Sequence, residues 1–375
     1  MRKIFGMLAM CLWLSVCPAH AAGGAETGAV DPNAVLQSIG AADMADALPG
    51  EAAALLGGVD MEQATSDLAG SVGQLLAQVD AETFVLSAAR SLAKMLFLAV
   101  LIGALSGLHS LGGGQEMPVV AIAGALGMTG VLFHDLQGML SLCTQTLDQT
   151  AVFSTALLPV MAGAITLSGA PATASATQAV TLFALSLLIR FITSVLVPAV
   201  CAYLALITMN AALGNDSLSG LAGFIKWLTT GSLKLMLTVF IAYLSISGAI
   251  GGSVDAVTLK TAKFAVSGSV PVVGGIISDA TESMLAGMVA VKNAVGVFGM
   301  LGVLAICVAP FLQVGLNYLF FKAGSAVLSP ICSPSLSKLM AGIGDSFGLM
   351  LGMLGTCSAI LFFELVFSIL LVKPL

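Results

Sequence analysis

The sequence predicts an all-α protein that crosses a membrane several times, behind a cleavable leader and an exported, mostly helical N-terminal segment. Three observations carry this. Of 375 residues, 58% are hydrophobic and only 9% are charged, where soluble domains carry about 25% charged residues. Apolar runs of about 18 residues or more, long enough to cross the hydrocarbon core, recur from residue 92 to the C-terminus. The 42 glycines suit helices in lipid, where small residues let backbones approach closely.

The elements follow in order. Residues 1–21 read as a secretory signal peptide, with Arg2 and Lys3 at the positive end, an apolar stretch over 4–16 and Ala19-His20-Ala21 as the cleavage box. Cleavage is expected after Ala21. A lipoprotein leader ending at Cys17 is the alternative, but the bulky Val16 fits that box poorly.

Residues 22–89 form the exported acidic segment. It carries Glu26, Asp31, Asp43, Asp46, Glu51, Asp60, Glu62, Asp67, Asp80 and Glu82 and no lysine or arginine. Cytoplasmic flanks of spans collect Lys and Arg, so their absence agrees with export. Apolar residues recur at helical spacing, broken by Pro32, Pro49 and Gly57-Gly58. Short amphipathic helices on the outer face are expected, either as a weakly ordered arm or as a docking surface for another exported protein.

The membrane domain occupies 90–375. Spans are expected over about 92–111, 117–133, 151–167, 177–213, 233–251, 293–321 and 347–372. The run 177–213 is one tilted helix or two spans broken at Pro198, which makes seven spans or eight. Residues 134–150 (HDLQGMLSLCTQTLDQT) are too polar to span and are expected to form an interfacial helix. Seven crossings from an exported N-terminus would leave Lys373 and the 252–292 connection in the cytoplasm. Glycines at 103 and 107, at 344, 348 and 352, and at 296, 299 and 302 mark close helix contacts.

Chemistry is sparse. The histidines are His20, His109 and His134, and no metalloprotease, phosphate-loop, dinucleotide or nucleophile-elbow motif is present. The seven cysteines form no C-x-x-C pair. We therefore expect no enzyme, no cofactor, no metal site and no nucleic-acid partner. Charge is costly in hydrocarbon, so the intramembrane Arg190 and Glu364 are candidate functional residues. They are expected to pair across helices, to contact a partner subunit or to line a conduit. Lys226 and Lys234 lie closer to a span end and can snorkel to the interface.

Within 253–299 the chain reads SVDAVTLKTAKFAVSGSVPVVGGIISDATESMLAGMVAVKNAVGVFG. TLKTAKFAVS, VPVVGG and KNAVG in this stretch resemble the stage III sporulation protein AE family of endospore-forming bacteria. The resemblance implies a subunit in the mother-cell membrane around the forespore. It would assemble with other sporulation-operon membrane proteins into a channel or secretion-like complex, needed for forespore development and without enzymatic activity. On the residues alone, 258–267 reads as an amphipathic interfacial helix with Lys260 and Lys263 three apart toward anionic headgroups. Pro271 and Gly274-Gly275 then allow a sharp turn into a second, re-entrant helix. These residues either gate a conduit or dock a partner, or they form a plain connection. Self-association is a further expectation. The alternative function is an independent secondary transporter coupled through Arg190 and Glu364; an intramembrane enzyme is disfavoured by the missing motifs.

Overall fold

The computed structural model describes residues 44, 46–57, 64, 67–111, 118–213, 217–269, 274–330 and 334–371. Among them there are helices and connections but no strands. The leader 1–21 and its cleavage site lie outside these residues, as does Pro271.

Two short helices open the fold, α1 at Gly50–Leu56 and α2 at Leu68–Ala77. Asp67 caps α2 by accepting from the Gly70 backbone N–H at 2.9 Å. Both helices pack on the membrane body, with Ala52, Leu56 and Leu75 buried. The acidic segment is thus partly helical, as its periodicity suggested, and its helices are docked.

Helix α3, Ala81–Leu111, follows Asp80, which caps it through the Thr83 hydroxyl and, at 3.4 Å, the Thr83 N–H. The Thr83 hydroxyl holds the Asp80 carboxyl below the usual carboxylate range. Helix α4 runs Pro118–Leu167. It ends where Gly169 takes φ 93°, a left-handed conformation that glycine adopts without steric cost, and Pro171 starts α5, Pro171–Phe191. A π-helical turn, Ile192–Leu196, leads without a break into α6, Val197–Leu213. That turn shifts the carbonyls that the Pro198 ring would strike, so the 177–213 run is one continuous helical rod. Then come α7 at Ser219–Ser269, α8 at Gly274–Leu328 and α9 at Pro334–Leu371.

Among the described residues, six helices are long and apolar enough to cross a membrane: Ala81–Ala104, Ile122–Leu167, Pro171–Leu213, Ser219–Thr258, Leu285–Leu328 and Pro334–Leu370. The expected count of seven falls because 134–150 is no interfacial helix. It is the middle of α4, and it fuses the second and third expected spans. The physical reason is a sidedness that average polarity hides. Leu132, Leu136, Cys143 and Leu147 are buried on one face, while His134, Gln137, Ser141, Gln145 and Asp148 are exposed on the other. Thr146 and Thr150 return their hydroxyls to carbonyls one turn back, each at 2.7 Å, and cost the helix little.

At about 1.5 Å per residue, the 50 to 55 residues of α4, α7 and α8 run about 75–82 Å, more than twice the hydrocarbon thickness of about 30 Å. The core lies where α8 and α9 pack along their length, with α4 across them and α5 to α7 completing the bundle. The 296, 299 and 302 glycines do what their spacing suggested. A Cβ at Gly302 would sit 2.5 Å from Phe153 Cζ, and one at Gly299 would sit 2.8 Å from a Leu157 methyl. A Cβ at Gly296 would meet Ile369 of α9 at 2.6 Å.

Gly302→Val is therefore expected to overpack the α4–α8 contact and to cost about 1–3 kcal/mol. The thermal midpoint of detergent-purified protein checks this, and adding Phe153→Leu should recover part of the loss. An unchanged midpoint for the single variant would show that the helices separate easily at this point.

Candidate functional site

The charges buried in the bundle gather near two levels, one toward each end. Asp345 and Glu364 both stand on α9, 364 − 345 = 19 residues apart. That is about 28 Å along the helix axis, close to the thickness of the hydrocarbon layer.

At the first level Asp345 lies between two lysines from different helices. Lys226 Nζ of α7 is 2.6 Å from Oδ2, and Lys322 Nζ of α8 is 2.7 Å from Oδ1. Tyr203 of α6 packs beside the same carboxylate. The lysine side chains are 33% and 34% exposed, so they cross apolar surface to reach the acid and still touch the outside. The cluster ties α6, α7, α8 and α9 together. One carboxylate thus faces two ammonium groups. Close by, Ser91 of α3 donates to Asp135 of α4 at 2.8 Å.

At the second level three charged side chains serve helix ends and hydroxyls. The N-terminus of α5 has no cap of its own; Asp255, from α7, supplies it. It accepts from the N–H groups of Ala172 and Thr173, each at 3.0 Å, and from the Thr173 hydroxyl at 2.6 Å. A carboxylate at a helix N-terminus satisfies orphan donors and meets the positive end of the helix dipole. Lys292 of α8 is fully buried and donates to the Ile369 carbonyl in the last turn of α9 at 3.0 Å. An ammonium there meets the negative end. Glu364 is 2% exposed and accepts from Thr181 at 3.0 Å and from Ser368 at 3.3 Å.

The expected Arg190–Glu364 pair does not form. Glu364 is held by Thr181, nine residues before Arg190 on the same stretch of helix, about 13 Å along the axis. Arg190 points outward and is exposed, whereas Glu364 is buried. Two of the candidate residues thus separate, because their positions on their helices point them to different surroundings.

The 258–267 segment is helical, as expected, but it is not a separate helix. It is the continuing C-terminal part of α7, with Lys260 exposed on it and Lys263 within its backbone run, and no break sets it apart as an interfacial helix. Gly274 and Gly275 open α8, a 55-residue helix rather than a short re-entrant one. Within this continuous helix Asp255 is used to cap a neighbouring helix. Sequence reasoning missed Asp255 and Asp345 as structural anchors. The available signal was the same one that singled out Glu364, an isolated acid in an apolar run.

With this geometry in place, comparison with known proteins is informative. The profile described as "Stage III sporulation protein AE (spore_III_AE)" matches residues 58–372. The chain belongs to the stage III sporulation protein AE family. The stage III sporulation protein AE of Bacillus subtilis (strain 168) is 26% identical over 188 residues, covering 50% of this chain and 47% of that protein. The chain thus matches about half the length of this curated relative. No solved structure matches. Family membership supports a sporulation role for a multi-pass membrane protein, as the central motif implied.

Asp255→Ala is expected to lose about 1–2 kcal/mol, because two backbone donors and a hydroxyl lose their acceptor together. Asp255→Asn should keep part of that. Thermal unfolding in detergent measures both, and equal midpoints for wild type and alanine variant would contradict the cap. Asp345→Leu, which strands two lysines, should cost more than the triple variant Lys226→Met/Asp345→Leu/Lys322→Met, which removes all three charges. The reverse order would mean that the cluster does not act as a unit.

Proposed function

We propose that this protein is an integral membrane subunit of a channel or secretion-like complex that links mother cell and forespore during sporulation and is needed for forespore development. The observation that supports it is the family match over 58–372, laid on a body of six membrane-length helices whose buried charges are anchored to one another and to helix ends. Such a body is suited to holding a defined shape within an assembly. In this reading the protein sits in the mother-cell membrane around the forespore, with its acidic N-terminal segment exported. It works with other membrane proteins of the sporulation operon and with copies of itself, and it performs no catalysis. Lys260, Lys263, Pro271, Gly274 and Gly275 surround the α7–α8 connection and are the proposed contact with a partner subunit.

The independent-transporter alternative needs Arg190 and Glu364 to act on one substrate path. Their separation leaves that reading without a coupled pair.

Deletion in the native spore-former is the test, with forespores viewed after engulfment and a tagged copy recovered with its bound proteins. Small or collapsing forespores, with other sporulation membrane proteins co-purifying, are expected. Normal spores and a protein recovered alone would contradict the reading. Lys260→Glu/Lys263→Glu at normal protein level should impair sporulation if the α7–α8 connection is the partner contact.

A further inference from the structure

Helix α9 serves as a ruler for height along the bundle. Helix α4 runs parallel to it. The Cys143 thiol donates to the Met350 carbonyl at 3.8 Å, and a Cβ at Gly299 would meet both Leu157 and Leu365. These contacts set the offset between the two helices at 350 − 143 = 207 and 365 − 157 = 208 residues. Helix α7 is parallel to α9 as well. Lys226 pairs with Asp345, and a Leu233 methyl lies 3.5 Å from where a Gly352 Cβ would be. Here the offset is 345 − 226 = 119 and 352 − 233 = 119 residues. Asp148 of α4 therefore stands level with residue 148 + 207 = 355 of α9, and Lys234 of α7 with residue 234 + 119 = 353. The two charges differ in height by only about 3–5 Å.

They lie on different flanks. Helices α5, α6 and α9 stand between α4 and α7 and pack on both. Asp148 and Lys234 are exposed, and neither has an ion-pair partner among the described residues. The flanks also differ in sign. Helix α4 carries Asp135 and Asp148 and no lysine or arginine. Helix α7 carries Lys226, Lys234, Lys260 and Lys263, and its one acid, Asp255, is buried as the cap of α5. Beside Asp148 a cavity of about 500 Å³ opens between α4 and the Ala47–Pro49 stretch, lined also by Gln145, Gln149 and Val152 and by no base. Asp46 and Glu51, on either side of that stretch, are exposed and add negative charge. Apolar surface matches at the same height. Val152 of α4 and Val239 of α7 stand level with residues 359 and 358 of α9, and both are exposed.

We propose that the α7 flank of one copy of this chain docks on the α4 flank of the next, with Lys234 entering the cavity to pair with the neighbouring copy's Asp148 and Val239 covering Val152. Copies in one membrane share one orientation, so a seam between two different flanks must join residues of equal height, wherever the bilayer lies along the rods. Asp148 and Lys234 meet that condition, and so do the two valines. A second copy is the occupant because both halves of the match, base against acid and valine against valine, belong to this chain. The contact is heterologous: it closes into a ring if the rotation between copies divides a full turn, and extends as a row if it does not. Arg190 of α5 reaches a similar level, between the Thr181–Glu364 and Ile207–Gly342 contacts. It stands on a helix that packs directly on α4 in its own chain, whereas Lys234 has the bundle between itself and α4. The seam rests on the self-association in the proposed function and not on the sporulation role.

The test is disulfide capture between two differently tagged full-length copies in one membrane, with exposed Cys201 replaced by serine in both. One copy carries Asp148→Cys and the other Lys234→Cys. A mixed dimer joined through 148 and 234, located by peptide mass spectrometry, is expected, and neither variant alone should give it. Dimers joined 148 to 148 or 234 to 234 in its place would overturn the proposal by making the contact isologous. Capture of Asp148→Cys by Arg190→Cys in preference to Lys234→Cys would overturn it by moving the seam to α5. Charge reversal gives a second readout without a reactive thiol, as energy transfer between labelled copies in proteoliposomes. Asp148→Lys and Lys234→Asp should each weaken association at least about tenfold, because like charges then meet at the contact. The double variant Asp148→Lys/Lys234→Asp should regain it. Thermal midpoints near wild type are required of every variant, and Asp148→Asn and Lys234→Gln serve as folded controls. Single reversals that leave association unchanged, or a double variant that does not regain it, would overturn the seam. A chain that stays monomeric would overturn the seam and leave the sporulation reading standing, and normal spores after deletion would do the opposite.

Discussion

The bundle depends on satisfying backbone groups and isolated charges from one helix with side chains of another. In an apolar interior the first N–H groups and last carbonyls of a helix have no water to turn to, and each orphan is costly. Here the acceptor for the start of α5 comes from α7, as Asp255, and the donor for the end of α9 comes from α8, as Lys292. The signs match the helix dipoles at both places. At the other level a single carboxylate, Asp345, gathers lysines from α7 and α8. Charges that would be penalties for any one helix therefore become the fasteners between helices.

Those fasteners set the register in which the rest can pack. With α8 and α9 held together, the glycines at 296, 299 and 302 open gaps on α8 that Phe153, Leu157 and Ile369 fill. This lets α4 cross close to α8 and buries Phe153 and Leu157 completely. One face of α4 is used up in that contact. Its polar residues are consequently turned to the opposite flank, where the N-terminal segment meets them across a cavity.

Much of the architecture was legible from residues. The helical class, the long apolar helices that contain 92–111, 233–251, 293–321 and 347–372, the helical character of the acidic segment and the close-packing role of the α8 glycines all follow from apolar run length and spacing. The family was legible from the 258–299 motif. The 134–150 stretch was misjudged because average polarity ignores sidedness. A helix reads as too polar to span when its apolar residues are gathered on the one face that packs against protein. The 258–267 stretch is helical as its spacing suggested, but that it continues α7 without a break was not legible, since a lysine-bearing segment at the end of a span looks the same whether the helix stops or continues.

The sequence by itself determined that the chain is helical, crosses a membrane several times, and carries only a handful of charges inside apolar runs; these follow from composition and local periodicity, which need no partner to be evaluated. Tertiary structure alone decided which charges meet. Arg190 and Glu364 looked like a natural pair, yet Glu364 turns into hydroxyls and Arg190 turns outward. Asp345 and Asp255, by contrast, proved to hold four helices and a helix start. The physical reason is that pairing depends on rotation and height of one helix against another. Those two quantities come from side-chain packing summed over the whole bundle, and no window of sequence contains them.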